Sequence, residues 1–520
     1  MDSRPEYGGK LIMTNVLEYM EGSVDLVPEK TAFSNGEEEI TFRELSDRSR
    51  ATGSALAAKG LYREPVVVYM HKSPDMVNAF FGVLYSGCFY VPIDEEMPVH
   101  RIRLIFDTVH PRAVICDTHT IGHAEELGYA DKSYLFRDLA EHPVDPEKLS
   151  EIRGKSLDID PIYIVFTSGS TGIPKGVAAC HRSVIDYIET LSEVLEFNRD
   201  TIFGNQTPLY FDACLKEIYP TLKFGATTYL IPKNLFMFPV KLIEYLNEHK
   251  INTICWVVSA LTIVSSFGTF DTVKPEYLHT IAFGSEVFPV KQLAIWRETL
   301  PEATFTNLYG PTEGTGMCCY YRLDRAFGPG EVIPIGGPFR NTEILLLKED
   351  QTLAEGDETG EICIRGTSVT LGYFNNPEKT AESFVQNPLN TAYPEIIYRT
   401  GDLARRNERG ELIFLSRKDD QIKHMGHRIE LGEIEAVAQL IDGMRSACCV
   451  FHKEKQKIGI FYVGDMDELA LKAELKTALP RYMLPHNVVR LDAMPYTPNG
   501  KVDRNLLRQK FEELLTTRRK

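Results

Sequence analysis

Hydrophobic positions in this chain gather into short continuous runs, and stretches with helical spacing separate them. Val66–Met70 (VVVYM) is an unbroken β-branched run of the kind buried on both faces of a sheet, and Ser73–Leu84 follows it with a helical pattern. Thr227–Ile231 and then Pro239–His249 repeat the sequence of strand and helix. This alternation holds through roughly the first four fifths of the chain and predicts an α/β fold with layered, mostly parallel strands. The most apolar run, Ile254–Phe267, contains serines and a threonine and is too short to span a bilayer. After the apolar Leu412–Leu415 comes a charged stretch, Ser416–Gly426 (SRKDDQIKHMG), which reads as a boundary. The pattern divides the chain into a large N-terminal core over 1–416 and a small α+β domain over 417–520.

Composition narrows the function classes. The chain has 520 residues, 43% hydrophobic and 25% charged, as in ordinary globular proteins. A formal net charge of −16 disfavours nucleic acid and anionic membranes as partners, while leaving room for a local basic site. The ten cysteines include the adjacent pairs Cys318–Cys319 and Cys448–Cys449, with no C-x-x-C spacing, and read as buried free thiols in a reducing compartment. The opening MDSRPEYGGK has no basic region followed by an apolar core, so a cytoplasmic location is expected.

The most informative run is Tyr163–Val177, YIVFTSGSTGIPKGV. A strand opens into a loop in which Thr167, Ser168, Ser170 and Thr171 supply hydroxyls, and Gly169, Gly172 and Gly176 let backbone N–H groups approach a ligand. Lys175 adds a point charge suited to phosphate. A Walker A loop needs Gly and Lys adjacent and then Ser or Thr, whereas Ile173 and Pro174 separate Gly172 from Lys175 here. The alternative is a flexible Gly/Ser loop without a ligand. Further along, Asn307–Gly316 (NLYGPTEGTG) and Tyr398–Arg406 (YRTGDLARR) each centre on a glycine turn with acidic and hydroxyl residues at its edge. Pro498–Arg504 (PNGKVDR) is a turn signal that would hold Lys501 at a loop tip.

Taken in order, these segments resemble the motifs of the acyl-adenylating superfamily, which includes acyl-CoA synthetases, luciferases and the adenylation domains of non-ribosomal peptide synthetases. The resemblance runs from Ile40–Leu45 to Arg504. It implies a large adenylate-forming domain with a mobile C-terminal lid, and ATP with Mg²⁺ bound at named positions. Thr167, Ser168, Gly169, Ser170, Thr171, Gly172 and Lys175 would hold phosphate, while Asn307, Tyr309 and Gly310 would hold the adenine. Thr312 would contact phosphate, Glu313 would ligate Mg²⁺, Asp402 would take the ribose hydroxyls, and Arg417 would contact the nucleotide. Asp419 would be the hinge, and Lys501 the catalytic lysine bridging the substrate carboxylate and the α-phosphate. One departure is Ser416, where a glycine usually precedes the arginine.

Phe211–Asp212–Ala213 matches the FDA motif of amino-acid adenylation domains, in which the aspartate pairs with the substrate α-ammonium. Asp212 also suits a helix N-cap, since an apolar run follows it. By the same resemblance the side-chain pocket would be lined by Ala213, Lys216, Cys255, Ile281, Phe283, Gly284, Leu308, Gly316 and Met317. The bulk of Phe283 suggests a small amino acid, whereas Lys216 suggests an acidic one or points to solvent. No carrier-protein serine motif follows Lys501, so the chain reads as a free-standing enzyme loading a phosphopantetheine carrier in trans, similar in layout to D-alanine–carrier-protein ligases. An acyl- or aryl-CoA ligase and a non-catalytic scaffold are the alternatives.

Overall fold

A computed structural model describes residues 6–7, 10–11, 13–169, 172–328, 331–419, 421–496 and 502–517. The chain forms two compact units. The first comprises Met1–Glu95, Val109–Val165 and Gly176–Ser416, and the second Glu96–Thr108, Phe166–Lys175 and Arg417–Lys520. Two stretches expected in the 1–416 core, 96–108 and 166–175, thus belong by contact with the C-terminal residues.

The runs picked out by hydrophobic pattern become the expected elements. Pro65–Tyr69 is a strand, and the helix Pro74–Tyr85 after it is capped by Ser73, whose hydroxyl accepts the Met76 N–H at 3.2 Å. Thr227–Leu230 is a strand, and Pro239–Glu248 a helix that starts on its proline. The apolar run from Ile254 divides into a strand, Thr253–Val257, and a helix, Val258–Ser266.

Among the described residues the first unit holds three large sheets and a two-stranded one, Glu6–Tyr7 with Lys10–Leu11. In the six-stranded sheet, Pro65–Tyr69 lies between the parallel strands Phe89–Ile93 and Ala113–Cys116, and Pro161–Thr167 and Lys175–Cys180 extend one edge. The nine-stranded sheet runs Gly337–Pro338, Cys319–Arg322, Thr304–Tyr309, Thr280–Gly284, Thr253–Val257, Ile202–Asn205, Thr227–Leu230, Thr31–Ser34, Glu39–Thr41, parallel at its centre. A five-stranded antiparallel sheet is built on Gly360–Gly366 and Ile396–Arg406. The main core draws Val66, Tyr90 and Tyr163 from one large sheet and Phe203, Cys255 and Leu308 from the other, with the helices Pro74–Tyr85, His181–Val194 and Leu215–Phe224 contributing. A second core on the opposite face of the nine-stranded sheet gathers Trp256, Ile281, Phe283, Phe305 and Trp296. Buried apolar area at about 25 cal/mol per Å² makes such cores the main stabilising element.

The second unit has a three-stranded sheet of Met444–His452, Lys457–Gly464 and Asn487–Arg490, with a hairpin of Gln421–His424 and His427–Glu430. The helices Leu431–Gln439 and Glu468–Ala478 bury Leu431, Ile434, Leu471 and Leu475 against the sheet. All ten cysteines are buried, and none is in a disulfide. No helix among the described residues is long and apolar enough to cross a membrane.

Candidate functional site

In the first unit the sheet brings several of the expected residues together. Asp212 opens a short 3₁₀ turn that runs into the helix Leu215–Phe224. It does not cap that helix, because the N-cap position belongs to Cys214 and no side-chain cap bond is made. The polar groups that act on the Asp212 carboxylate are instead the Thr312 hydroxyl and the Lys216 ammonium. Burial raises its pKa above the ordinary carboxylate value, and the Thr312 hydroxyl and the charge of Lys216 offset part of that rise. Burial and the charge of Asp212 also push the phenols of Tyr163 and Tyr187 well up. Among the described residues both hydroxyls are buried with no hydrogen-bond partner, as is one oxygen of Glu217. Orphaned buried polar atoms around one carboxylate mark a place where a polar ligand would be received.

Gly316 has φ +82° and lies against the Tyr187 ring, which would be 3.2 Å from any Cβ added there. Met317, Leu308 and Cys255 pack in the main core. At Gly310 a Cβ would stand 2.3 Å from the Gly316 carbonyl oxygen, and at Gly284 it would stand 2.4 Å from that of Leu308, so neither position accepts a side chain. Ile281 and Phe283 are not brought to this group. Strand alternation puts Ala282, paired with Cys255, in the main core, while Ile281 and Phe283 pack in the second core, with Phe283 edge-on to Phe288 at 4.9 Å.

Two further acids of the first unit follow in the chain order expected, and the charge of one, Glu313, acts on Asp212. Tyr309 donates its hydroxyl to Asp402 Oδ2 at 2.5 Å, and Thr400 accepts the Asp402 N–H through its hydroxyl at 2.9 Å. Burial and then Asp402 raise the Tyr309 pKa. Glu313 is fully buried in the 3₁₀ turn Thr312–Gly314 and accepts the Tyr373 hydroxyl at 2.7 Å. A single carboxylate suits Mg²⁺, which keeps several waters and takes its other ligands from phosphates. Asn307 turns its amide to the Pro334 carbonyl at 2.8 Å.

Sequence reading missed Tyr187, Tyr373 and a buried group formed by Lys72, Asn205 and Glu217. Lys72 donates to the Asn205 and Gln206 carbonyls at 3.1 and 3.4 Å, and Asn205 donates to Glu217 at 3.3 Å. Lys72, Asn205 and Tyr187 lie in no recognisable motif, while Tyr373 closes the run Gly360–Tyr373 (GEICIRGTSVTLGY). Burial raises Glu217 to about 8 from its ordinary 4.5 and lowers Lys72 to about 7. A raised carboxyl pKa contributes stability that is complete below about 4.5 and is lost as pH rises through about 8. Glu217→Gln is therefore expected to gain stability over the parent as pH rises from 5.5 to 8, by at most about 1.4 kcal/mol per pH unit. Denaturant melts across that range read the difference, and a flat difference would mean that Glu217 stays ionised throughout.

The second unit carries the glycine-rich loop. Ser170 and Thr171 lie outside the described residues, as does Lys501. Gly172 has φ +83° and its N–H donates to the Gly169 carbonyl at 3.0 Å, closing the loop on itself. The Ser168 hydroxyl donates to the Arg428 carbonyl at 2.8 Å and accepts the Glu430 N–H at 3.2 Å. The Gly169 N–H donates to Glu433 at 3.1 Å, so a carboxylate occupies an amide that an anion would use. Glu433 is also paired with Arg101, and burial still raises its pKa against the charge of Arg101. Lys175 Nζ lies 3.9 Å from Glu430, and the buried Thr167 hydroxyl has no partner among the described residues. Arg417 grips Asp419 with both arms of its guanidinium, at 2.7 Å each, which holds the Asp419 carboxyl below its usual range against the effect of burial.

A Cβ at Gly169 would stand 2.0 Å from the Ile173 carbonyl oxygen, a contact only backbone movement can relieve. Gly169→Ala is expected to weaken ATP binding by roughly tenfold or more, since a misplaced cradle loses its preorganisation. Titration with ATP reads this, and unchanged affinity would remove the loop from nucleotide binding.

The family model for AMP-binding enzymes matches residues 20–374. Gramicidin S synthase 2 of Brevibacillus brevis is 33% identical over 516 residues, covering 97% of this chain and 11% of that protein. Tyrocidine synthase 1 of Brevibacillus parabrevis is 30% identical over 505 residues, covering 95% of this chain and 45% of that one. The chain therefore spans less than half the length of these relatives. Among solved structures, holo-PA1221, an NRPS protein containing adenylation and PCP domains, superposes with a TM-score of 0.81 at 26% identity, covering 95% of this chain and 84% of that one. With this fold and these motifs in this order, the chain belongs to the AMP-binding enzymes, as an ATP-dependent adenylate-forming ligase of the non-ribosomal peptide synthetase type.

Proposed function

We propose that this enzyme activates an amino acid and passes it to a phosphopantetheine thiol. The observation that carries the reading is Asp212, a carboxylate not used as a helix cap, whose charge acts on the phenols of Tyr163 and Tyr187, both without a hydrogen-bond partner among the described residues. An α-ammonium would give that carboxylate its partner, whereas an aryl or fatty acid would leave it buried and unpaired. In the first step the substrate carboxylate attacks the α-phosphorus of ATP, and pyrophosphate leaves with the bond electrons. In the second, a thiol that has given up its proton attacks the acyl carbon, and AMP leaves. Glu313 would hold Mg²⁺, whose charge would neutralise the phosphates. Tyr309 and Asp402 would fix the nucleoside, and the 166–175 loop and Arg417 would bind phosphate. Rotation about Asp419 would exchange the orientations needed for the two steps.

The test is ATP–pyrophosphate exchange over L- and D-amino acids, aryl acids and fatty acids. Exchange dependent on an amino acid supports the reading, and the L/D arm separates it from a D-alanine ligase. Exchange only with acids lacking an α-amine would move the enzyme among the CoA ligases. Adding a carrier as a separate protein then reads transfer in trans.

A further inference from the structure

The first unit encloses a cavity of about 410 Å³, a size at which proteins hold small ligands. Its lining shares no residue with the group around Asp212. It opens at the amino ends of two parallel strands, where Gly87 and Cys88 precede Phe89–Ile93 and Asp160 precedes Pro161–Thr167. Ligands of open α/β sheets ordinarily sit beyond the carboxyl ends, so this cavity is a separate place.

Most charges on its wall are paired. Arg153 donates to Glu21 at 2.9 and 3.3 Å, the Tyr85 hydroxyl donates to Glu21 at 3.0 Å, and Asp160 pairs with Arg63 at 2.8 Å. Two charges remain. Arg50 is half-buried on the helix Phe42–Ala58, and Asp25 is exposed on the helix Leu17–Leu26. Among the described residues neither side chain makes a hydrogen bond or an ion pair, with the other or with any third group. Ser46 precedes Arg50 by four residues and so shares its helix face. Its hydroxyl, on a lining residue 6% exposed, likewise has no partner among the described residues.

His181 adds a donor whose identity is fixed. Its Nδ1 accepts the Val16 N–H at 3.2 Å, and burial, then the charge of Arg153, lowers its pKa to about 3. The ring is therefore neutral at physiological pH, and a neutral imidazole that accepts at Nδ1 carries its proton on Nε2. That N–H has no partner among the described residues and is not sealed from solvent, although the residue, part of the cavity wall, is only 4% exposed. A donor so placed is costly unless something in the cavity accepts from it.

These groups sort by sign. Arg50, Ser46 and His181 Nε2–H present a cation and two donors, which suit a carboxylate, while Asp25 presents an anion at the rim. A simple anion would be repelled by Asp25 and a simple cation by Arg50, whereas a molecule carrying both charges meets each with its opposite. We propose that this cavity is a second small-molecule site, and that it takes a zwitterion of the amino-acid or short-peptide class. The carboxylate would lie on Arg50, Ser46 and His181 Nε2–H, and the ammonium toward Asp25. The assignment does not rest on the reading of Asp212.

The experiment is calorimetric titration of the full chain with glycine, β-alanine, γ-aminobutyrate and glycylglycine, whose two charges stand progressively further apart. Acetate and ethylamine, with one charge each, are the controls. At least one zwitterion is expected to bind roughly tenfold or more tightly than either control, and Arg50→Gln and Asp25→Asn are each expected to remove about that factor, the usual size of one charge-assisted hydrogen bond. Both variants should keep the parent's ATP–pyrophosphate exchange. Titration of Asp212→Ala reads this site alone, and the binding should persist there. Acetate binding as tightly as the zwitterions would make the cavity an anion site and overturn the proposal. So would binding that survives Arg50→Gln but not Asp212→Ala, and so would no binding of any probe. Asp25 is exposed, so Asp25→Asn decides the matter even if Arg50→Gln fails to fold.

Discussion

Asp212→Ala is expected to raise the KM for the amino acid by roughly 10²-fold or more while leaving the KM for ATP within a few-fold. Truncating one partner of a buried charge pair costs about 2–5 kcal/mol, and each 1.4 kcal/mol is a factor of ten. The loss falls on KM because the α-ammonium is bound equally in the ground and transition states, so its anchor contributes uniform binding. Asp212→Asn separates charge from shape, since the amide keeps the size of the carboxylate and loses the ion pair. Stability moves the other way. Burial raises the Asp212 pKa, so the neutral form is favoured in the folded protein. That contribution is complete below the ordinary carboxylate value and is lost as pH rises through the raised one. Asp212→Asn is spared the loss and is expected to melt at the same temperature as the parent, or higher, at neutral pH. Substrate affinity of the parent should in turn fall as acid protonates Asp212. Exchange kinetics and thermal melts on the same preparations check both halves. An unchanged KM in Asp212→Ala would remove Asp212 from substrate recognition.

The layered α/β architecture was legible because buried parallel strands and amphipathic helices leave different periods in the sequence. Val66–Met70 and Thr227–Ile231 became strands within one residue of the expected ends. The run from Ile254 gave no internal boundary, because strand and helix there are both covered and neither alternates with polar residues. Motif order identified the loops but not what each side chain touches. Asp212 read equally well as a helix cap until the turn was seen to leave that position to Cys214. Ile281 and Phe283 joined the pocket by motif position, while strand parity set them in the other core. The bond from Ser168 to Arg428 spans 260 residues, and no local pattern encodes a partner so far away. Lys72 and Glu217 carry no motif at all, and only burial makes them notable.

Lys501→Ala is expected to lower the kcat of amino-acid-dependent exchange by roughly 10²- to 10³-fold, the usual consequence of removing one preorganised charge from a transition state. Lys501 lies outside the described residues, and the chain on either side of it closes through an antiparallel bridge between Tyr496 and Val502. The lysine follows the turn signal Pro498–Asn499–Gly500. Negative charge moves onto the bridging phosphate oxygens as the substrate carboxylate attacks, and an ammonium between carboxylate and phosphate is worth most at that moment. A group of this kind lowers kcat and kcat/KM together and leaves KM for the amino acid and ATP within a few-fold. The second step has a different charge pattern, with thiolate as the nucleophile and AMP as the leaving group. Lys501→Ala supplied with preformed aminoacyl-AMP should therefore still form thioester on a carrier at near the parent rate. Loss of both steps together would mean that Lys501 holds the fold or the nucleotide and does not act in the adenylation transition state. A raised KM at constant kcat would make it a binding residue only.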